Sequence, residues 1–124
     1  MSEPRTSIVI LNWNQKDDTA KCLKSLEKLL YKNYGIIVVD NGSKDGSPDF
    51  LKNNFSNITL IKNEENLGFA EGSNIGIRHA LSVGTDYVLL LNNDLVVQED
   101  FLGILVEAAE KDSKIGILGA VNYS

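Results

Sequence analysis

The sequence predicts an α/β fold, three-layer α/β/α around a mostly parallel open sheet, on three observations. Within Thr6–Leu11, Ile36–Val39 and Asp86–Leu91 lie short uninterrupted apolar runs, Ile8–Leu11, Ile36–Val39 and Tyr87–Leu91, as in buried strands when helices cover both faces of a parallel sheet. Between them lie stretches whose apolar residues recur at helical spacing, so strand and helix alternate along the chain. Two of the runs end in carboxylates, Asp40 in Asp-Asn-Gly-Ser and Asp94 in Asn-Asn-Asp. Open α/β sheets bind ligands in the crevice outside such strand ends.

The elements follow in order. Thr6–Leu11 is β-rich and closes at Asn12-Trp13-Asn14, which makes it the first strand. Asp17 or Asp18 caps the next helix, in which Ala20, Leu23, Leu26, Leu29 and Leu30 share one face as far as about Tyr31. Asn33-Tyr34-Gly35 is its exit turn, and Ile36–Val39 the second strand. Gly42 and Gly46 provide positive φ in the turn that follows, before a short helix over Ser47–Asn54. Ile58–Ile61 is a third strand, near an edge. Phe69–Leu81 is helical although Gly72 and Gly76 sit inside it. Each interior glycine costs a helix roughly 1 kcal/mol relative to alanine, which implies that a strand, loop or ligand comes close to the helix backbone there. The run ending at Asp94 is the fourth strand. An amphipathic helix over Glu99–Asp112 carries Phe101, Leu102, Leu105, Val106 and Ala109 on one face, with Glu99 and Asp100 at its positive end. Ile115–Val121 is the last strand, and right-handed crossovers are expected throughout.

A length of 124 residues with 43% hydrophobic residues is one globular domain, residues 1–124. The 17 acidic against 12 basic residues give a net charge of -5, which excludes a nucleic-acid partner because a phosphate backbone needs a positive surface. The single cysteine, Cys22, cannot form an intrachain disulfide and reads as a structural thiol. No run approaches the ~18 apolar residues of a membrane span, and Met1–Thr6 is too polar to begin a signal peptide. The expected location is cytoplasmic.

At the strand ends stand Asn12, Asp40, Asn92 and Asp94, oxygen donors that suit a hard cation such as Mg²⁺ or Mn²⁺. Zinc is poorly served by one cysteine and one histidine, His79, whose place inside a helix makes it a surface or packing residue. The glycine-rich phosphate loops of nucleotide folds are absent as well.

Four blocks in order, Ser7–Asn14, Val38–Ser47, Asn66–Ala70 with Asn74 and Gly76, and Leu90–Asp94, resemble family 2 of the nucleotide-sugar glycosyltransferases, and within it the rhamnosyltransferase-like branch. The resemblance implies a GT-A fold, of which this chain is the nucleotide-binding half, with the acceptor-binding half missing. It implies that Asp40 binds the nucleobase, most often uracil, and that Asn12 and Asn14 line the nucleotide pocket with Asn41 and Ser43. Asn66, Gly68, Phe69 and Asn74 would border the ribose and diphosphate. Asn92-Asn93-Asp94 matches the family's Asp-x-Asp motif, with Asp94, assisted by Asn92, holding Mg or Mn on the diphosphate; Asn92 is the departure from the acidic pattern.

The implied activity is transfer of a hexosyl or rhamnosyl group from a UDP- or dTDP-linked donor to an acceptor hydroxyl of a growing glycan or glycolipid, as in cell-envelope polysaccharide assembly. The family is generally inverting, with a carboxylate as general base. In the family that base comes from the second half, which the resemblance implies lies beyond Ser124, while Asp100, Glu107, Glu110 and Asp112 read as the soluble face of a helix. The fragment is expected to bind donor and metal and to be inactive alone. The resemblance also allows the longer protein peripheral association with the inner membrane face. Two other readings compete: a stand-alone nucleotide-binding or regulatory module, and a receiver-like signalling domain. The second wants an acidic pair after the first strand, where this chain has Asn12, and a lysine after the fifth, where it has none.

Overall fold

The computed structural model describes residues 3–111 and the backbone of 117–121. Its elements are β1 Thr6–Asn12, α1 Lys16–Leu26, β2 Tyr34–Asn41, α2 Ser47–Asn54, β3 Ile58–Asn63, α3 Phe69–Ser82, β4 Tyr87–Leu91, α4 Phe101–Glu110 and β5 Ile117–Val121. All strand pairs are parallel, in the order β3-β2-β1-β4-β5. The predicted α/β class and the alternation of elements hold, and β3 is an edge strand as expected. Ile115 and Asp112, the expected limits of the last strand and helix, lie outside the described residues.

The period of two along each strand divides the core. Ile8, Ile10, Ile36, Val38 and Leu89 face one side, where Leu23 and Leu26 of α1, Leu51 of α2 and Leu102 and Val106 of α4 cover them. Val9, Ile37, Val39 and Val88 face the other, where α3 is the one helix among the described residues and contributes Ala80 and Ile77. The close approach implied by Gly72 and Gly76 is to strand side chains. A Cβ on Gly72 would lie 2.7 Å from Leu11 Cδ1, and one on Gly76 would lie 2.4 Å from Val9 Cγ1. The helical cost of these glycines is what lets α3 settle onto β1 and β2.

Four expectations need correction. α1 ends at Leu26, not Tyr31: Lys28 N–H and Leu29 N–H bond the carbonyls of Ser25 and Leu26, three residues back, so the chain tightens and turns away. Leu29 is still buried, but Leu30 faces solvent, because the helical periodicity continued past the helix itself. Asp17 and Asp18 do not cap α1; Gln15 is the N-cap residue, and the two aspartates sit in the first turn, where they favour the positive helix end. Tyr34 and Gly35 are strand residues paired with Thr6 and Ser7 rather than an exit turn. The crossovers do not share one hand. From β1 to β2 the chain moves one way along the sheet with α1 on one face, and from β4 to β5 it moves the other way with α4 on that same face. α4 is drawn there by its apolar stripe and by the tether Leu30 N–H to Glu99 C=O, 2.9 Å.

Candidate functional site

The strand order reverses direction at β1, so the carboxyl ends of β1, β2 and β4 lie side by side where such sheets bind ligands. A cleft of about 470 Å³ opens there, lined by Val9, Leu11, Trp13, Phe69, Ser73, Leu90, Asn92 and Asn93 among others. Trp13 and Phe69 present large exposed faces to it, at 48% and 60% exposure. Two aromatic rings left in solvent beside a polar strand edge offer stacking area for a planar or sugar ring.

On the β2 side, Asn12 pairs in register with Asp40, and both are fully buried. Asp40 Oδ1 accepts from Asn12 Nδ2 at 2.8 Å and from Ser43 Oγ at 2.7 Å, while Oδ2 accepts from the Ser43 N–H at 3.0 Å. A buried carboxylate is tolerated only with such donors. The structure thus brings Asp40, Asn12 and Ser43 together, with the carboxylate covered by its own loop instead of open to solvent. Asn14 has φ of 53°, which asparagine tolerates. Its N–H bonds Ser43 Oγ at 2.8 Å and its Oδ1 accepts from the Lys44 N–H at 2.7 Å, so Asn14 fastens the loop after β1 to the loop after β2.

Asn41 is a second fastening. Its Nδ2 donates to Asn66 Oδ1 at 3.0 Å and to the Gly68 carbonyl at 3.1 Å, and its Oδ1 accepts from Asn63 Nδ2 and the Leu67 N–H, each at 3.1 Å. Two donors and two acceptor sites exhaust a side-chain amide. Asn41 therefore has nothing left for a ligand, and what it contributes is the position of the Asn66–Gly68 loop that leads into α3. Phe69 does reach the cleft. Asn74 lies on an exposed stretch of α3 outside the cleft lining, which Ser73 enters in its place.

On the β4 side, the Leu95 N–H bonds the Asn92 carbonyl at 3.3 Å and closes a turn around Asn93 and Asp94. One face of α1 holds this segment. Gln15 Oε1 and Thr19 Oγ1 accept from Asn93 Nδ2 at 3.0 and 3.1 Å, the Cys22 thiol points at the Asn92 carbonyl, 3.8 Å away, and Ser25 Oγ accepts from the Val97 N–H at 3.1 Å. Sequence reasoning missed Trp13, Gln15, Thr19 and Ser73. Polar residues at 15, 19, 22 and 25 do recur at helical spacing, and that stripe was the available signal.

Asp94 itself is exposed at the turn. Among the described residues no group of three or more histidine, cysteine, aspartate or glutamate side chains could hold a metal. The donor set of one free carboxylate and the neighbouring Asn92 amide does not fit a cation caged by protein. It fits Mg²⁺ or Mn²⁺ carried largely by ligand phosphates and waters, which needs only one or two protein oxygens.

Burial, and secondarily the charge of Asp94, pushes the Cys22 thiol up from 9.0 to about 12. The folded chain then keeps a proton that the unfolded chain loses, so Cys22 lowers stability as pH rises between those values. It should resist an aromatic disulfide reagent at about pH 8 in the native state and react stoichiometrically in denaturant; absorbance at 412 nm reads both.

The family model described as "Glycosyl transferase family 2" matches residues 7–124. The "Glycosyltransferase GlyG" of Streptococcus pneumoniae serotype 4 is 28% identical over 121 residues, which cover 94% of this chain and 39% of that protein. Among solved structures, a mannosyltransferase from Pyrobaculum calidifontis in complex with GDP-Man and Mn²⁺ superposes with a TM-score of 0.77 at 23% identity, over 86% of this chain and 32% of that one. TarS of S. aureus in complex with UDP-GlcNAc gives 0.72 at 21%, over 89% and 31%. At such identities the two structures speak for the fold alone, and it is the GT-A architecture. The chain thus spans about a third of the length of these relatives. None of the three is named as a rhamnosyltransferase, so that branch rests on the sequence blocks. With the family model covering all the strand ends that build the cleft, the chain belongs to glycosyl transferase family 2.

Proposed function

We propose that this chain is the donor-binding half of an enzyme that moves a sugar from a nucleotide-diphospho-sugar to an acceptor hydroxyl of a glycan or glycolipid. The observation that carries the reading is the cleft at the strand ends, with the aromatic faces of Trp13 and Phe69 on it and the Asn92-Asn93-Asp94 turn along one wall. A nucleotide placed there would have its base toward Asp40 and its diphosphate toward Asp94. Contact between Asp40 and a base requires the Ser43 loop to give way, because every described donor to that carboxylate comes from the chain itself.

Asp94, with Asn92 beside it, would hold Mg²⁺ or Mn²⁺ on the diphosphate. A cation so placed offsets the negative charge that grows on a departing nucleoside diphosphate. The chain's own part is to orient the donor, since the loops are fixed by Asn14 and Asn41 before any ligand arrives. Asp100, Glu107 and Glu110 are exposed, and none of them lines the cleft. The reading places the general base of an inverting displacement in a part of the enzyme other than this chain, as the family resemblance implies, and the isolated chain should transfer no sugar. No helix among the described residues is long and apolar enough to cross a membrane; work in the cytoplasm, with the longer protein at the inner membrane face, is part of the proposal.

The nearest test is calorimetric titration of the chain with UDP, dTDP and GDP, with and without Mn²⁺ or Mg²⁺. One of the three should give a metal-dependent binding heat at millimolar ligand. No metal-dependent heat with any of them overturns the reading.

A further inference from the structure

We infer that Thr19 is a positioning residue whose hydroxyl ties the Asp40 end of the site to the turn that carries Asp94. The inference rests on the donor-binding reading and goes beyond it, because it names how the two ends of the site act together.

Thr19 is fully buried on α1, away from the cleft lining. Its Oγ1 donates to Asn12 Oδ1 at 2.6 Å and accepts from Asn93 Nδ2 at 3.1 Å. Asn12 in turn donates to Asp40 Oδ1 at 2.8 Å. One unbroken line of hydrogen bonds therefore runs Asn93, Thr19, Asn12, Asp40, across the ends of β4, β1 and β2. Its direction is fixed from the Asp40 end. A carboxylate only accepts, so Asn12 must turn its NH₂ toward Asp40 and its carbonyl oxygen toward Thr19. The Thr19 hydroxyl has one proton and must spend it on that oxygen. It is then left as an acceptor, which among the described residues only the NH₂ of Asn93 satisfies, and that settles which way the Asn93 amide faces in the turn. Each bond polarises the next in a buried setting.

A ligand that draws on Asp40 thereby alters the bond from Asn12, and through Thr19 the anchoring of Asn93 next to Asp94. Valine at position 19 keeps the shape and removes the hydroxyl, which takes from Asn12 Oδ1 its Thr19 donor and leaves the Asn93 amide, among the described residues, the bond to Gln15. Serine keeps the hydroxyl.

The test compares wild type, Thr19→Val and Thr19→Ser by calorimetry, with UDP and GDP as probes, each with and without Mn²⁺. The readout is the ratio by which Mn²⁺ raises nucleotide affinity. Thr19→Val should lower this ratio by about fivefold or more, the lower range of coupling between sites, and Thr19→Ser should restore it. A residue that only supports the fold would lower Tm and scale the two affinities alike, leaving the ratio unchanged. A second readout is the side-chain amide resonance of Asn93 in ¹⁵N-labelled protein: uridine alone, without metal or phosphate, should shift it in the wild type and not in Thr19→Val. If Thr19→Val does not fold, Asn93→Ala breaks the same link from the partly exposed side, and the ratio is read there. Wild-type binding with an unaltered ratio in the folded variant overturns the role of Thr19 alone. A wild type that binds neither probe overturns the donor-binding reading and takes this inference with it.

Discussion

Replacing Gly76 by alanine is expected to destabilise the chain by about 1–2 kcal/mol, although alanine is the better helix former. In an exposed helix interior the exchange would gain roughly 1 kcal/mol. At Gly76 the new Cβ would stand 2.4 Å from Val9 Cγ1 and 3.1 Å from Val39 Cγ2. Both valines are buried in central strands, where parallel neighbours on either side fix the backbone. Neither can retreat without moving a strand, and overpacking of this kind costs about 1–3 kcal/mol or more before the helical gain is set against it. Relief by lifting α3 would uncover that face of the sheet, on which α3 is the only helix among the described residues. Gly103 in α4 is the matched control, since a Cβ there meets nothing within 4 Å. Gly103→Ala should stabilise by roughly 0.5–1 kcal/mol. Urea unfolding of the two variants should therefore shift in opposite directions, with the m-value unchanged. A Gly76→Ala midpoint at or above wild type would refute the close seating of α3. Adding Val9→Ala to Gly76→Ala should recover part of the loss, because the clash is chiefly with that one side chain.

What the sequence disclosed and what it withheld divide along physical lines. Burial patterns disclosed the strands, because a residue's hydrophobicity reports whether it can leave water whatever it touches. The paired glycines of α3 disclosed a close approach, because only a steric demand explains their helical cost. Hydrogen-bond partnering was withheld. Asn41 at the end of β2 and Asn66 in the next loop read equally well as ligand donors or as each other's partners. Only three-dimensional placement shows that Asn41 is exhausted within the chain. The same holds for Asp40, found under its loop and not open to solvent. The apolar stripe of α1 is legible in its spacing, whereas the role of the stripe of Thr19, Cys22 and Ser25 is not, because helical spacing shows which residues are buried and a buried polar residue is recognised by its partners. Apart from Asn12, which Thr19 also meets, the partners that tie this stripe to the site lie about seventy residues away along the chain, on the segment after β4.

Asp94→Asn is expected to abolish the metal dependence of nucleotide binding and to leave the fold untouched. Among the described residues Asp94 accepts no hydrogen bond, and it is exposed, so exchange of a carboxylate for an amide should change stability by no more than about 0.5 kcal/mol. The charge is another matter. Mg²⁺ and Mn²⁺ prefer anionic oxygen, and with Asn92 neutral the turn has only this one carboxylate to give. Affinity for nucleoside diphosphate in Mn²⁺ should fall roughly tenfold to hundredfold, toward its metal-free value, while the metal-free affinity stays the same. Asn92→Asp tests the same logic in the opposite direction. The turn depends on the Asn92 backbone carbonyl, which takes the Leu95 N–H and faces the Cys22 thiol, so an aspartate side chain there need not disturb it. A second carboxylate beside the first should strengthen Mn²⁺-dependent binding, and in the Asp94→Asn background it should restore part of what was lost. Retention of the wild-type Mn²⁺ effect in Asp94→Asn would remove the cation from this turn. An equal loss with and without Mn²⁺ would instead give Asp94 a direct contact with the nucleotide. The metal-free arm separates these outcomes, because a ligand to the cation has nothing to hold when the cation is withheld.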